Sequence, residues 1–141
     1  MKNLSIFLFV FTLCINPFEG IKTTVIVQNG LSQKKWLRVS CLILQTNQRF
    51  GVHYLKPGGK DYQVTFDDAL YVNDIFKCRL GKGSDFKIFK DVVMYSKNPP
   101  YRFKPHYGTY TWKAEDDGIY YFNNQRFKKP RPPFYEKMFD W

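Results

Sequence analysis

Apolar and polar positions alternate with a period of two along most of this chain, and Gly, Pro, Asn and Asp interrupt the alternation at short intervals. A two-residue period places one row of side chains on each face of an extended segment, so it predicts half-buried β-strands. Strands are expected at Thr23 to Gln28, Trp36 to Leu44, Phe50 to Leu55, Tyr62 to Phe66, Ile75 to Leu80, Asp85 to Phe89, Tyr110 to Glu115 and Ile119 to Phe122. Turns are expected at Lys56-Pro57-Gly58-Gly59-Lys60-Asp61, at Gly81-Lys82-Gly83-Ser84 and at Asp116-Asp117-Gly118, where Pro, Gly and Asp supply the backbone conformations that turns demand. No long amphipathic helix is apparent. Short strands with frequent turn signals predict an all-β fold, a compact antiparallel β-sandwich of about eight strands.

Two stretches depart from the alternation. Tyr95 to Tyr107 carries three prolines among several aromatic rings and reads as a loop that packs by those rings. After Asn123 the chain sets Arg126, Lys128, Lys129 and Arg131 among Pro130, Pro132 and Pro133, then ends in Phe134, Tyr135, Phe139 and Trp141. Proline cannot donate to a central ladder, so residues 124–141 are expected to form a basic, extended, mobile tail. At the other end, Lys2 precedes an uncharged apolar run from Leu4 to Ile15. That pattern is a secretory signal peptide, expected to occupy residues 1–20 with cleavage near Gly20, and the run is too short for a comfortable membrane span. Residues 21–123 are then the folded domain, and the mature protein is expected to be extracellular with no transmembrane segment.

Export changes how the cysteines read. Cys14 leaves with the signal, and Cys41 and Cys78 remain as a pair in an oxidising compartment, which predicts one disulfide. Cys41 shares its strand face with Leu37, Val39 and Ile43, and Cys78 shares its own with Phe76 and Leu80, so both sulfurs point into the core. They are expected to meet between facing sheets. The formal net charge of +10 survives removal of the signal, which takes away Lys2 and Glu19 together. Such a charge draws the protein to acidic surfaces and speeds encounter with acidic partners. Aromatic residues form 19% of the chain, and rings with polar tips suit half-buried positions on pleated sheets.

From about Thr23 to Asn123 the chain resembles the plant self-incompatibility protein S1 family, the S-protein homologues. The residues that carry the resemblance run in order. They are Val25-Ile26-Val27-Gln28-Asn29, then Leu37-Arg38-Val39-Ser40-Cys41, then Phe50-Gly51-Val52-His53-Tyr54-Leu55-Lys56-Pro57-Gly58, similar to the family's G-V-H-x-L-x-P-G. Tyr62-Gln63-Val64-Thr65-Phe66 and Phe76-Lys77-Cys78 follow, and Trp112 to Gly118 is similar to the closing W-x-x-x-x-D-G. Members typically carry two further cysteines flanking that closing motif, where this chain has Tyr110 and Tyr120. Loss of both, with retention of the other two, supports the Cys41 to Cys78 pairing and implies a less rigid closing hairpin. The stretch after Asn123 is longer than the family core. The resemblance implies a two-sheet sandwich acting as an extracellular ligand, since the founding members are pistil determinants recognised by a pollen membrane protein.

No catalytic constellation is apparent. His53 and His106 are the only histidines, there is no G-x-S-x-G elbow, and neither histidine has a nucleophile and an orienting carboxylate beside it in sequence. Two isolated histidines and two bridged cysteines cannot assemble a four-ligand zinc site, and Asp67, Asp68, Asp116 and Asp117 read as turn formers. The expectation is a non-enzyme without cofactor or metal. Cations interleaved with rings, as in Lys87, Lys90, Lys97, Arg102 and Lys104 among Phe86, Phe89, Tyr101 and Phe103, could stack bases, but export argues against a nucleic-acid partner. The expected function is that of a secreted signalling ligand for a cell-surface receptor, with Tyr101, Arg102, Phe103 and Lys104 in the aromatic loop and Arg126, Lys128, Lys129 and Arg131 in the tail as candidate contacts. A cationic defence protein acting on anionic membranes is the alternative, and a non-enzymatic inhibitor of a hydrolase the third reading.

Overall fold

The computed structural model describes residues 22–67, 75–96, 108–123 and 134–141. Nine strands and one short 3-10 turn make up its regular structure: β1 (Lys22–Asn29), β2 (Leu37–Ile43), β3 (Gln48–Leu55), β4 (Tyr62–Asp67), β5 (Ile75–Lys82), the turn Ser84–Phe86, β6 (Ile88–Ser96), β7 (Thr109–Glu115), β8 (Gly118–Asn123) and β9 (Phe134–Phe139). They form a five-stranded sheet in the order β4-β1-β7-β8-β9 and a four-stranded sheet in the order β3-β2-β5-β6. The sandwich is antiparallel throughout except at β1 and β7, which pair in parallel.

The alternation explains the layers. Val25 and Val27 of β1, Val64 of β4, Trp112 and Ala114 of β7 and Ile119 and Tyr121 of β8 face Leu37, Val39 and Cys41 of β2, Phe76, Cys78 and Leu80 of β5 and Val92 and Met94 of β6 in one core. Rings stitch the two sheets together. Phe66 stacks on Phe76 at 5.2 Å, Tyr95 meets Tyr110 edge-on at 5.0 Å, and the buried Trp112 indole donates its N–H to the Met94 carbonyl at 3.1 Å. A buried indole without an acceptor would be costly, so this bond fixes β7 against β6 as well as filling volume.

Cys41 and Cys78 are bonded, as expected, but they do not join the facing sheets. They are register partners on the neighbouring strands β2 and β5, with Cα atoms 4.0 Å apart, so the staple lies within the four-stranded sheet. Two inward-facing residues directly opposite each other on an antiparallel pair are close enough for this, and a shared face alone could not distinguish a neighbour from a facing strand. The loop they close spans 37 positions, for which chain entropy gives roughly 3.5 to 4 kcal/mol of stabilisation.

Two further expectations are corrected. Of the strand expected at Asp85 to Phe89 only Ile88 and Phe89 are strand: Gly83, Asp85 and Phe86 all have positive φ, and the chain makes a 3-10 turn before β6 begins at Ile88 and runs on to Ser96. The end of the expected tail is a strand as well. Phe134–Phe139 pairs antiparallel with β8, in a register that sets Tyr121 opposite Glu136 and Ile119 opposite Phe139, with an irregularity between Ile119 and Tyr120. The prolines at 130, 132 and 133 precede this edge strand in sequence. Met138, Phe139 and Trp141 pack against the core, which is why the last residues leave solvent.

Candidate interaction surface

The two sheets present very different outer faces. On the five-stranded sheet the described outward polar groups largely answer one another. Thr24 and Thr65 hydroxyls meet at 3.0 Å, Tyr135 donates its hydroxyl to Gln28 Oε1 at 2.7 Å, Gln28 Nε2 donates to Asp61 at 3.2 Å, and Lys113 sits over the Tyr135 ring while pairing with Glu115.

The outer face of the four-stranded sheet carries cations. Register sets Tyr54, Arg38, Gly81 and Phe89 in one row across the strands, Val52, Ser40, Arg79 and Asp91 in the next, and Arg49, Leu42, Lys77 and Val93 in the third. Shallow depressions of about 290 and 320 Å³ lie along these rows. Arg38, Arg49, Lys77, Arg79 and Lys87 line them against a single carboxylate, Asp91. Large apolar side chains stand exposed among the cations: Leu44 at 47%, Val52 at 45%, Tyr54 at 55% and Phe89 at 52% of their full surface.

The geometry of this face is built rather than incidental. The Arg79 guanidinium carbon sits over the Phe89 ring, 4.4 Å from its centre, and its fork donates Nε–H to Asp91 Oδ1 at 2.8 Å and Nη2–H to Asp91 Oδ2 at 3.1 Å. The bidentate hydrogen bond with Arg79 holds the Asp91 carboxyl below its usual range and raises Arg79 in turn. Lys77 reaches the same carboxylate at 4.0 Å. Arg38, Arg49 and Lys87 form no ion pair with any described residue. Phe86 is carried onto the face by the turn before β6, where Asp85 and Phe86 both hold φ of 53°. Left-handed backbone at a bulky residue costs on the order of 1 kcal/mol or more. The turn can close over the sheet because position 81 is glycine: a Cβ there would lie 3.2 Å from the Phe86 Cβ. Phe86 then meets the Tyr54 ring at 5.4 Å, tilted by 52°.

The residues singled out in the sequence fall into three groups. Tyr101, Arg102, Phe103, Lys104, Arg126, Lys128, Lys129 and Arg131 all lie outside the described residues, as does His106. His53 is structural: its Nε2 is 2.8 Å from the Phe50 carbonyl oxygen and its ring stacks on Tyr62 at 4.3 Å, bridging the sheets. Burial raises the Tyr62 phenol above its usual range. Asp116 and Asp117 anchor the last hairpin: Asp116 accepts the Ser32 N–H at 3.3 Å and Asp117 accepts the Tyr120 hydroxyl at 2.8 Å. The cationic sheet face itself was missed as a site. Its signal was present in the alternation, which put Arg38 and Ser40 opposite the Cys41 face and Lys77 and Arg79 opposite the Cys78 face. What the alternation lacked was the adjacency of β2 and β5 that merges the two rows.

Among the described residues no group of three His, Cys, Asp or Glu side chains is placed to hold a metal, and no helix is long and apolar enough to cross a membrane. Sequence, fold and surface together define the class: a small protein with a signal-like start and a disulfide-stapled β-sandwich that offers a contact surface. Comparison with known proteins makes the class specific. Residues 24–141 match the family model described as plant self-incompatibility protein S1. The chain is 37% identical to S-protein homolog 21 of Arabidopsis thaliana, over 99% of this chain and 98% of the relative, and 32% identical to S-protein homolog 8 of the same plant, over 92% and 96%. A solved structure of SPH (Self-Incompatibility Protein Homologue) proteins, described as a widespread family of small, highly stable, secreted proteins from plants, superposes with a TM-score of 0.53 at 23% identity, covering 82% of this chain and 94% of that one. The protein belongs to the plant self-incompatibility protein S1 family, a family of secreted proteins. The match reaches residue 141, so β9, expected beyond the family core, falls within it.

The shared motifs now have physical roles. Asn29 ends β1 and donates Nδ2 to the carbonyls of Lys35 and Leu55 while its Oδ1 accepts the Leu31 N–H, which clips the 30–36 loop to both sheets. Trp112 is the inter-sheet pin. Tyr110 and Tyr120, at the positions of the family's other cysteines, are not register partners: Tyr110 turns into the core and Tyr120 outward to Asp117.

Proposed function

We propose that this secreted S1-family protein is a non-enzymatic ligand that docks on an acidic cell-surface receptor through the outer face of its four-stranded sheet. The observation that carries the reading is the company of five cations and four exposed apolar side chains on one rigid face, with one carboxylate among them. Arginine and aromatic side chains dominate binding energy at protein interfaces, and like charge on one side speeds encounter with an oppositely charged partner. The signal-like residues 1–20, the family's character and the net charge of +10 are consistent with work outside the cell.

The test is saturable binding of labelled protein to plant protoplasts. Combined Arg38→Gln, Arg49→Gln and Arg79→Gln substitution is expected to weaken binding at least tenfold with the melting temperature little changed. Lys22→Gln, Lys60→Gln and Lys34→Gln together remove the same charge elsewhere and are expected to leave binding within about twofold. Equal loss in both sets would reduce the interaction to net charge. Dye release from anionic vesicles at the concentrations that saturate cells would instead favour the membrane-acting reading.

A further inference from the structure

The chemistry of the docking face narrows its partner. We infer that it receives an acidic peptide segment carrying apolar side chains between its carboxylates, with Arg38 as the unengaged fork that takes a carboxylate. This rests on the docking role proposed above and deepens it.

Three features select a peptide over a polyanion such as an acidic polysaccharide. First, the cations do not form an unbroken track. Leu42 stands between Arg49 and Lys77, with Leu44 and Val52 on the same face, and covering aliphatic side chains releases free energy only against a partner with apolar groups of its own. Second, each ring that a sugar could stack on already has a neighbour against it, while about half of the Tyr54 and Phe89 surface stays open to an apolar side chain. The Arg79 guanidinium covers the Phe89 ring, and Tyr54 and Phe86 lean on each other at 52°. Third, the arginines differ in availability. Arg79 is spent on Asp91 through both arms of its fork, whereas Arg38, in the row of Tyr54, Gly81 and Phe89, forms no ion pair with a described residue. The depression beside it is lined by Phe86, Lys87 and Phe89, so a carboxylate entering there meets Arg38 between rings rather than in open water. An arginine fork engages a carboxylate in two parallel bonds, and shielding by neighbouring rings strengthens each.

Three synthetic probes test the inference by titration calorimetry on the full mature chain. They are a twelve-residue peptide alternating Glu with Leu, the same peptide with Ser for each Leu, and an oligouronate of matched charge. The Glu/Leu peptide is expected to bind at least tenfold more tightly than either of the others. Arg38→Gln is expected to lose about tenfold of that affinity, Tyr54→Ser with Val52→Ser to lose a similar factor, and Lys60→Gln to lose none. Val52, Tyr54 and Lys60 are exposed and Arg38 is half-buried, and unchanged melting temperatures exclude a folding defect. Equal or tighter binding of the oligouronate or of the Glu/Ser peptide overturns the assignment of partner chemistry. So does binding that ignores Arg38. In either case protoplast binding that still falls with the Arg38, Arg49 and Arg79 substitutions leaves the docking face standing, whereas protoplast binding that does not fall removes both.

Discussion

The two sheets of this sandwich share a core but solve opposite problems. The four-stranded sheet carries the covalent staple, Cys41 to Cys78, across its two central strands, and leaves its outer cations largely unanswered. The five-stranded sheet has no disulfide among its described residues. It is closed instead by β9, whose partners reach across the molecule: the Trp141 indole donates to the Glu115 carbonyl at 2.7 Å, and the Lys82 ammonium sits 4.6 Å from the centre of the Trp141 ring while donating to the Asp116 carbonyl at 2.6 Å. Burial pushes the Lys82 ammonium down from its usual range, as expected for a cation held against a ring, and Asp116 opposes that. Its outer polar groups answer one another. Like charges on one face repel, so a sheet that displays them for a partner needs its strands held by something other than that face. Neighbouring strands tied by a disulfide meet the need; a satisfied face does not require it.

The sharpest way to break this contrast is to remove the staple. Replacing both cysteines, Cys41→Ala with Cys78→Ala, is expected to cost about 3 to 4 kcal/mol in denaturant unfolding, while the five-stranded sheet keeps its own closures. The double substitution avoids leaving a free buried thiol. Hydrogen exchange checks where the loss falls: amides of β2, β5 and β6 are expected to lose more protection than those of β1, β7 and β8. Uniform loss across both sheets would show that the staple serves the whole sandwich rather than the charged sheet.

A somewhat smaller effect is expected from opening the other sheet. Ending the chain at Asn123 removes β9 and uncovers the side of the core where Met138, Phe139 and Trp141 pack. Two half-buried rings are worth roughly 2 to 3 kcal/mol in area alone. Trp141→Ala isolates about half of that, because it leaves the β8 to β9 ladder intact. Were β9 only a loose tail, truncation would leave the unfolding midpoint where it was, and increased dye binding to exposed apolar surface would not be seen.

That strand also marks the limit of what periodicity could tell. The inward rows of β2, β5 and β7 are plain in the sequence, because a polar residue separates Val39 from Cys41, Phe76 from Cys78 and Tyr110 from Trp112, whereas in β1 the apolar Ile26 stands between Val25 and Val27. Phe134 to Phe139 reads Phe-Tyr-Glu-Lys-Met-Phe, which has no two-residue alternation, and it follows a run of basic residues and prolines whose composition argued for an extended end. Nothing local reveals that Trp141 finds the Glu115 carbonyl. The turn before β6 was illegible for a different reason: Asp85 and Phe86 adopt backbone angles that residue preference disfavours, and only packing of Phe86 over Gly81 makes them worthwhile. For the surface, the outward rows of β2 and β5 were readable one strand at a time, and the order of strands that joins them into a cationic field is a property of the fold.

The smallest expected effect concerns Asp91, the one carboxylate on the charged face. Its hydrogen bonds from Arg79 hold its pKa below the ordinary carboxylate value, so the folded state binds that proton less readily than the unfolded chain does. The stability from this pair is therefore complete above about pH 4, the unfolded value, and is lost as pH falls through the lower folded value. Because both side chains are substantially exposed, the amount is well under about 1 kcal/mol. Asp91→Asn is expected to lower stability slightly at pH 7 and to flatten its decline below pH 4. At the same time it frees Arg79 and raises the charge of the face, so affinity for an acidic probe is expected to rise about two- to threefold at low salt. The two readouts then move in opposite directions, stability down and binding up, as a face kept for a partner requires. A variant that loses both would show Asp91 to be a contact rather than the clamp that holds Arg79 over Phe89.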